Sequence, residues 1–557
     1  MPFDGFLMKL CVEKIAERVV GRNLKNIYLS HQALYFSFDE GDLKVSLHPN
    51  FAYLSWVEHT PMNTEKNGFV ELLRSRLRGG RVVEFFPKGY ERTATLRIAK
   101  IDEIGRLRNY SLYFDIMGKH SNCILVEEGV ILDAFKRVKT RFRDIFPGEP
   151  FKEFPVEKSL PEELCDSEVL KERLLRSGRK KLSEAIYTVL QGFSRTSAEE
   201  LLFRADIEDL PVENLSEKDF RNLHHALLSI LDEVNRGLIY LYFERDEPVD
   251  VSIYRIHRYI DFKECQDVFG CLNHHFAFVE QKDVYVQKKN RLLAAAKSRL
   301  DSLLELHSKL VTELSESNNF ELYKKYGELL KAYSYQIPPG LERVTLLDWE
   351  TGEQVEVPME PHLSSIENSI RYFKIYSRLK RKAAGVRERL TELENEIAYL
   401  QQLVVTIENS ENIKELTEIE DEMIENGMIS SNSRSKKKSE SPASEPRKYT
   451  YNGFTILVGK NNRQNDELVK TSAGYDIWLH AQGIPGAHVI IRTGGKQVDD
   501  DTLHFAATLA ATYSKGKYSS NVPVDYTYVK NVRKPKGFKP GLVIYTDFKT
   551  LFVDPLS

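Results

Sequence analysis

The stretch D-I-W-L-H-A-Q-G-I-P-G-A-H-V-I-I-R, residues 476–492, gathers side chains that could do chemistry: Trp478, His480, Pro485, Gly486 and His488. Its two ends alternate as strands do, and the turn between them has Pro485 to preset φ and Gly486 to accept a positive one. His480 and His488 then lie close together at the strand ends, beside Trp478. No cysteine or carboxylate stands at ligand spacing, so two imidazoles make a poor zinc site. No serine or cysteine nucleophile is paired with a base. A flat ring beside imidazoles and glycines suits stacking on a base and touching phosphate. The plainer alternative is a buried tryptophan with internally satisfied histidines. Neither reading calls for a catalytic residue, a metal or a cofactor.

Cations interleaved with aromatics recur elsewhere. V-K-N-V-R-K-P-K-G-F-K-P-G, 529–541, sets Lys530, Arg533, Lys534, Lys536 and Lys539 around Phe538, in a loop enforced by glycine and proline. F-K-R-V-K-T-R-F-R, 135–143, places Lys136, Arg137, Lys139, Arg141 and Arg143 among Phe135 and Phe142, with Arg74, Arg76, Arg78 and Arg81 earlier in the chain. Lys374, Arg378, Lys380, Arg381 and Lys382 load the start of a long helix. Any one cluster is an ordinary solvated surface. Four on separate elements point to a large folded RNA gripped at several phosphates. Cys265, Cys271, His274 and His275 form a weak metal lead that also reads as plain helix or loop. Gly494-Gly495 lacks the following G-K-[ST] of a phosphate loop.

The elements that must position these groups fit an α+β multidomain chain of 557 residues. Residues 447–557 carry 15 lysines and arginines against 9 acids, although the whole chain is at −3. A basic end beside an acidic remainder hints at a polyanionic partner. The five cysteines, Cys11, Cys123, Cys165, Cys265 and Cys271, are sparse and odd in number, which fits free thiols in a reducing compartment. No signal peptide or membrane span is read from the sequence, and a soluble cytoplasmic protein is expected.

Residues 1–175 mix strand-like alternation with an arginine-rich helix at 67–79 that stops at Gly79-Gly80. Residues 176–284 form a helical domain. Within it L-Q-G-F-S-R-T-S-A-E-E-L-L, 190–202, reads as a helix-hairpin-helix whose turn aims N–H groups outward at phosphate, or as a plain helical corner. Leu293, Ala296, Leu300, Leu303, His307, Leu310 and Leu314 keep a 3-4 spacing, as do Leu379, Ala383, Val386, Leu390, Leu393, Ile397, Leu400, Val404 and Ile407. Between them T-L-L-D-W-E-T-G-E-Q-V-E-V turns at Glu350-Thr351-Gly352, and Pro338-Pro339-Gly340 breaks the helix. Residues 285–428 therefore read as one antiparallel coiled coil with a β tip near 332–362, each arm roughly 60 Å long. Residues 429–448 form a serine- and charge-rich flexible linker, and 449–557 a compact α/β domain.

These residues carry a resemblance. G-F-T-I-L-V-G-K-N-N-R-Q-N-D-E-L, 453–468, followed by the 476–492 stretch, resembles the RNA-binding domain of the NFACT family. M-P-F-D-G at the start, M-G-K-H-S-N at 117–122, E-L-Y-K-K-Y-G-E-L-L at 321–330 and E-N-S-I-R-Y-F-K-I-Y at 367–376 extend the likeness over nearly the whole chain. The family's bacterial branch is the nearest in kind. The N-terminal domain also resembles formamidopyrimidine-DNA glycosylases. Pro2 stands where their nucleophile does, but Phe3 replaces the acid and Asp4 is one place off, which implies an enzyme fold used for binding.

The resemblance implies a ribosome-associated quality-control factor. It would bind the obstructed large ribosomal subunit, through ribosomal RNA and peptidyl-tRNA, as a monomer. It would recruit tRNA, alanyl-tRNA by kinship, for alanine tailing of the nascent chain without mRNA. Peptide-bond chemistry would remain the ribosome's, so the protein itself is not expected to be an enzyme. The family's Asp-Arg pair falls on Glu91-Arg92, a glutamate standing for the aspartate, and its second acidic tripeptide on Asp115-Ile116-Met117. The implied tRNA contacts are completed by Lys119, His120, Ser121, Asn122, Arg137, Lys139 and Arg141. In the last domain Lys460, Asn461, Asn462, Trp478, His480, Pro485, Gly486, His488, Arg533, Lys534 and Lys536 are expected on RNA. Lys380, Arg381 and Lys382 are expected on ribosomal RNA at the base of the coiled coil. A surface fibronectin-binding adhesin and a DNA-repair glycosylase are the competing readings.

Overall fold

The computed structural model describes residues 3–59, 64–140, 142–164, 166–430 and 444–556. Pro2, Arg141, Cys165 and most of the expected linker lie outside the described residues. The chain divides into two units, Met1–Lys282 and Asp283–Ser557. Among the described residues no helix is long and apolar enough to cross a membrane.

The first unit opens with α1 (Gly5–Val19), capped by Asp4, whose carboxylate accepts from the Leu7 amide at 3.0 Å. Four strands follow as an antiparallel meander: β1 (Asn26–Ser30), β2 (Ala33–Ser37), β3 (Asp42–Ser46) and β4 (Tyr53–Val57). The arginine-rich helix is α2 (Gly68–Leu77), capped by Asn67. A five-stranded antiparallel sheet comes next, in chain order: β5 (Arg81–Pro87), β6 (Thr93–Ile101), β7 (Leu107–Asp115), β8 (Asn122–Glu127) and β9 (Val130–Ala134). The short pair β10 (Val138–Lys139) and β11 (Asp144–Ile145) carries the basic run. Apolar faces of α1, both sheets and the helices below share one core.

Helices α3 (Ser167–Arg176), α4 (Leu182–Val189), α5 (Arg195–Ala205) and α6 (Glu217–Arg236) follow. Between α4 and α5 the chain turns at Gly192, φ +84°, and Ser194 caps α5 in a capping box with Ser197. The expected helical stretch then gives way to a sheet, β12 (Ile239–Glu244), β13 (Glu247–Ser252) and β14 (Asp261–Cys265), with β12 in the centre. I-Y-L-Y-F-E is β-branched and aromatic, the composition of a strand, and four of its residues are buried.

The coiled-coil helix α7 (Val268–Ser317) starts before the expected arm and runs 50 residues. The second unit holds its remainder, then α8 (Phe320–Ala332), the hairpin β15 (Arg343–Leu347) and β16 (Gln354–Pro358), and α9 (Ser365–Glu408). Leu303 and Leu310 pack with Val386, Leu390, Leu393, Ile397 and Leu400, so the seam is antiparallel and within the chain. A further helix, α10 (Ile413–Glu425), lays Leu416, Ile419 and Met423 into the same cluster.

The last domain is a six-stranded antiparallel sheet in the order β17-β18-β20-β19-β21-β24. Its strands are β17 (Arg447–Tyr451), β18 (Phe454–Val458), β19 (Ile477–Ala481), β20 (Val489–Arg492), β21 (Val522–Tyr528) and β24 (Lys549–Val553). The small pair β22 (Val532–Arg533) and β23 (Ile544–Tyr545) flanks it. Helix α12 (Asp500–Thr512) packs its alanines on one face, and α11 (Asn462–Thr471) contributes Leu468 to the cluster on the other.

Candidate RNA interface

The 476–492 stretch forms two neighbouring antiparallel strands, β19 and β20, as its alternation requires. Trp478, however, is 0% exposed and packs with Leu468, Ile490, Val529 and Val532. It cannot stack on an RNA base. Its residue type suited an exposed platform, but the register turns it to the face covered by α11 and β22. His488 is buried as well, and burial pushes its imidazole down to about 3. The His480 and His488 rings are 5.4 Å apart, and burial lowers His480 too. His488 is internal, while His480 is half-buried and its ring nitrogen lies 3.2 Å from the Gly486 carbonyl. Pro485 is half-buried and Gly486 buried. The turn takes its positive φ at Gly483, not at Gly486. Gly486 serves a close approach instead: a Cβ there would meet Ser514 Cβ at 2.9 Å. Its N–H donates to Gln402 Oε1 at 2.7 Å, and Gln402 Nε2 returns a bond to its carbonyl. The loop is thus held by α9.

Lys460, Asn461 and Asn462 are likewise turned inward. Lys460 pairs with Glu415 at 3.2 Å, Asn461 caps α11, and Asn462 is fully buried, donating to Glu422 at 3.0 Å. The 529–541 segment does face solvent. Lys530, Arg533 and Lys536 are exposed, while Lys534 is tied to Asp466 at 2.6 Å. Sequence reasoning missed a neighbour of the same chemistry: Tyr528 is 51% exposed, and the Lys530 ammonium lies 5.3 Å from the centre of its ring. The sequence offered a signal, since a tyrosine two places before Lys530 suits stacking and phosphate contact together.

In the first unit a cleft of about 620 Å³ gathers Asp4, Glu91, Arg92, Phe142, Lys158 and the α4–α5 turn from Gly192 to Arg195. Arg92 and Glu91 sit on the β5–β6 connection, whose end is pinned where the Ile116 amide donates to the Arg92 carbonyl at 2.8 Å. Burial pulls the Arg92 guanidinium below its ordinary value, against the fields of Asp4 and Glu91. Asp4 is buried, donated to by Tyr254 Oη at 3.0 Å, and desolvation pushes it up to about 6. Arg195 is 84% exposed at the first turn of α5, where backbone N–H groups and the helix dipole favour anions. Half-buried cations, exposed aromatic edge and helix terminus make a cleft that can hold a phosphate and an adjacent base.

The second acidic tripeptide is largely structural. Asp115 is 3% exposed and ion-paired to buried Arg143, and Ile116 is in the core, while Met117 reaches the cleft. By alternation Asp115 shares the Tyr113 face of β7, opposite Leu112 and Phe114, and there Arg143 covers its carboxylate. Ser121 accepts from the Met117 amide at 2.9 Å, and Asn122 clamps Lys136 with 2.8 Å bonds to its carbonyl and amide. Both are buried, leaving Lys119 and His120 exposed on the turn they brace. Arg137 forks onto Asp133 with two bonds of 2.8 Å, and Lys139 pairs with Asp144 at 3.3 Å, both keeping exposed heads. Arg141 is outside the described residues.

Lys380, Arg381 and Lys382 are exposed, but not at the base of the coiled coil. Lys382 pairs with Glu313, near the far end of α7, whereas the root is marked by Lys297 with Glu408. The start of α9 lies by the β tip because the seam is antiparallel. Cys265 and Cys271 are joined as a disulfide, in place of the free thiols expected from a sparse, odd count. The step from β14 into α7 sets their Cα atoms 6.5 Å apart. The remaining described cysteines, Cys11 and Cys123, are free and buried.

Residues 4–442 match the family described as NFACT N-terminal and middle domains, and residues 447–547 the NFACT protein RNA binding domain. The chain is 30% identical to the Rqc2 homolog RqcH of Bacillus subtilis over 584 aligned positions, covering 100% of this chain and 98% of that protein. It is 29% identical to the Rqc2 homolog RqcH of Streptococcus suis over 571 positions, at 100% and 98% coverage. The solved C-terminal part of the fibronectin/fibrinogen-binding protein from Streptococcus suis covers 49% of this chain and 96% of its own, with 31% identity and a TM-score of 0.40. With its N-terminal, middle and RNA-binding segments all matched in order, the chain belongs to the NFACT family.

Proposed function

We propose that this protein acts in ribosome quality control. It binds the obstructed large ribosomal subunit that carries peptidyl-tRNA and recruits tRNA, alanyl-tRNA by kinship, for C-terminal alanine tailing of the nascent chain. The observation that carries this reading is the end-to-end likeness to the Rqc2 homologs, with an RNA-binding domain included. The cleft around Arg92 supports the tRNA part, because a guanidinium that is half-buried yet opens on a cavity is preorganised for phosphate or a base edge. The exposed basic-aromatic edge at Tyr528, Lys530, Arg533 and Lys536 supports ribosomal RNA as the second contact. The protein's contribution is then to position tRNA, while the ribosome makes the bond. Lys119, His120, Arg137 and Lys139 lie on exposed turns of the same unit and serve the tRNA side.

The test is Arg92→Ala. Co-sedimentation with large subunits is kept, while tailing of a stalled nascent chain and tRNA co-purification are lost. Wild-type tailing by Arg92→Ala would refute the assignment of the cleft. Failure of the wild-type protein to co-sediment with large subunits would refute the ribosomal reading itself.

A further inference from the structure

Five carboxylates recur at intervals of four and three along and just before α10: Glu411, Glu415, Glu418, Glu422 and Glu425. That spacing aligns them in one stripe, beside the apolar stripe that binds the coiled coil. Each carboxylate meets a donor that precedes or opens the C-terminal domain. Glu411 takes Arg447 at 3.2 Å, and Glu415 takes Arg447 at 3.6 Å and Lys460 at 3.2 Å. Glu418 accepts from Ser444 Oγ at 2.7 Å and Asn461 Nδ2 at 3.0 Å. Glu422 accepts from Asn462 Nδ2 at 3.0 Å, and Glu425 pairs with Arg463.

Two guanidiniums, an ammonium and two amides in a row match what a nucleic-acid backbone needs, and successive helical turns set the anions roughly 5 Å apart. The contact is mainly polar. Leu542 is the C-terminal-domain side chain that packs against the coiled-coil cluster. Contacts of this kind weaken with salt and can exchange one anion for another. The Arg447 and Lys460 side chains are only 9% and 18% exposed here, so these two cations are covered while Lys530, Arg533 and Lys536 stay open.

We propose that Arg447, Lys460, Asn461 and Arg463 form an RNA-backbone binding edge that the α10 carboxylates occupy as a stand-in for phosphates. RNA that first engages the open cations gains this edge by displacing α10. This rests on the RNA-binding reading of the last domain.

The experiment uses the full-length protein and a fluorescein-labelled single-stranded RNA of about twenty nucleotides, followed by anisotropy across a salt series. Glu411 and Glu425 side chains are 60% and 57% exposed, and a glutamine at half-buried Glu418 can still accept from Ser444 and Asn461, so Glu411→Gln/Glu418→Gln/Glu425→Gln is expected to keep the fold. It is expected to bind about three- to tenfold tighter than wild type, with a salt slope steeper by about two. Adding Arg447→Gln/Arg463→Gln cancels the gain. No tightening, or tightening that survives loss of both arginines, overturns the proposal. Hydrogen exchange gives an independent readout on the unmodified chain: amides 413–425 lose protection when RNA is added, and unchanged protection at saturating RNA overturns it. Normal co-sedimentation with large subunits alongside either negative result defeats this inference while leaving the ribosomal role standing.

Discussion

Trp478 separates two views of the C-terminal domain. As a stacking platform it would matter to RNA and little to folding; as a core residue the reverse holds. The side chain is 0% exposed. A buried tryptophan removes roughly 150–250 Å² from water, or about 4–6 kcal/mol at roughly 25 cal/mol per Å². Truncation to alanine in a packed core costs about 3–5 kcal/mol. Because the domain belongs to the larger unit Asp283–Ser557, Trp478→Ala should lower that unit's unfolding midpoint by about 6 °C or more. Its indole N–H finds no hydrogen-bond partner among the described residues, so Trp478→Phe removes no bond and relieves an unsatisfied donor. Phenylalanine still fills most of the site beside Tyr545, whose ring centroid is 4.7 Å away. That variant should cost only about 1 kcal/mol. Calorimetry on the full chain measures the midpoints, and RNA anisotropy measures affinity on the folded protein. The reasoning fails if Trp478→Ala moves the midpoint by less than about 2 °C while weakening RNA binding about tenfold.

Arg143→Ala leaves the Asp115 carboxylate buried without its partner and should cost about 3–5 kcal/mol at neutral pH. Burial already raises Asp115, opposed by Arg143; without that opposition the folded state binds the proton more readily, so the deficit shrinks as pH falls. Chemical denaturation at pH 8 and pH 5 checks the sign. His488 sits at about 3 when folded against 6.5 unfolded, so its contribution is complete above about 6.5 and is lost as pH falls toward 3; His488→Gln should flatten that limb of the stability profile. Lys380→Glu/Arg381→Glu should weaken large-subunit binding more at low salt than at high, with the melting midpoint unchanged, as read by co-sedimentation. Gln402→Ala removes both bonds to Gly486 and should raise hydrogen exchange at residues 484–488.

Much of the organisation is legible in the sequence because it is local. The 3-4 apolar spacing from Leu293 to Leu314 and from Leu379 to Ile407 names two facing helices, and the turn at Glu350–Gly352 joins β15 to β16 between them. Alternation marks β19 and β20, and Gly192 with Ser194 marks the α4–α5 turn. The strands at 239–265 were less legible, because short aromatic runs between helices read as either element. The cations split the same way. Lys530, Arg533 and Lys536 remain exposed as their loop composition suggests, while Lys460 and Lys534 are claimed by Glu415 and Asp466.

By itself the sequence determined the periods, the turns, the basic and acidic blocks and the family likeness, all carried by residues near one another in the chain. Tertiary structure alone decided which face of each element meets the core and which charge finds which partner. Trp478 went inward because β19 has α11 and β22 over that face. Asp115 found Arg143 across 28 positions, and Asn462 found Glu422 across 40. Burial and pairing are properties of the assembled surface, and the free energy of a charge depends on neighbours that the chain brings together only once it has folded.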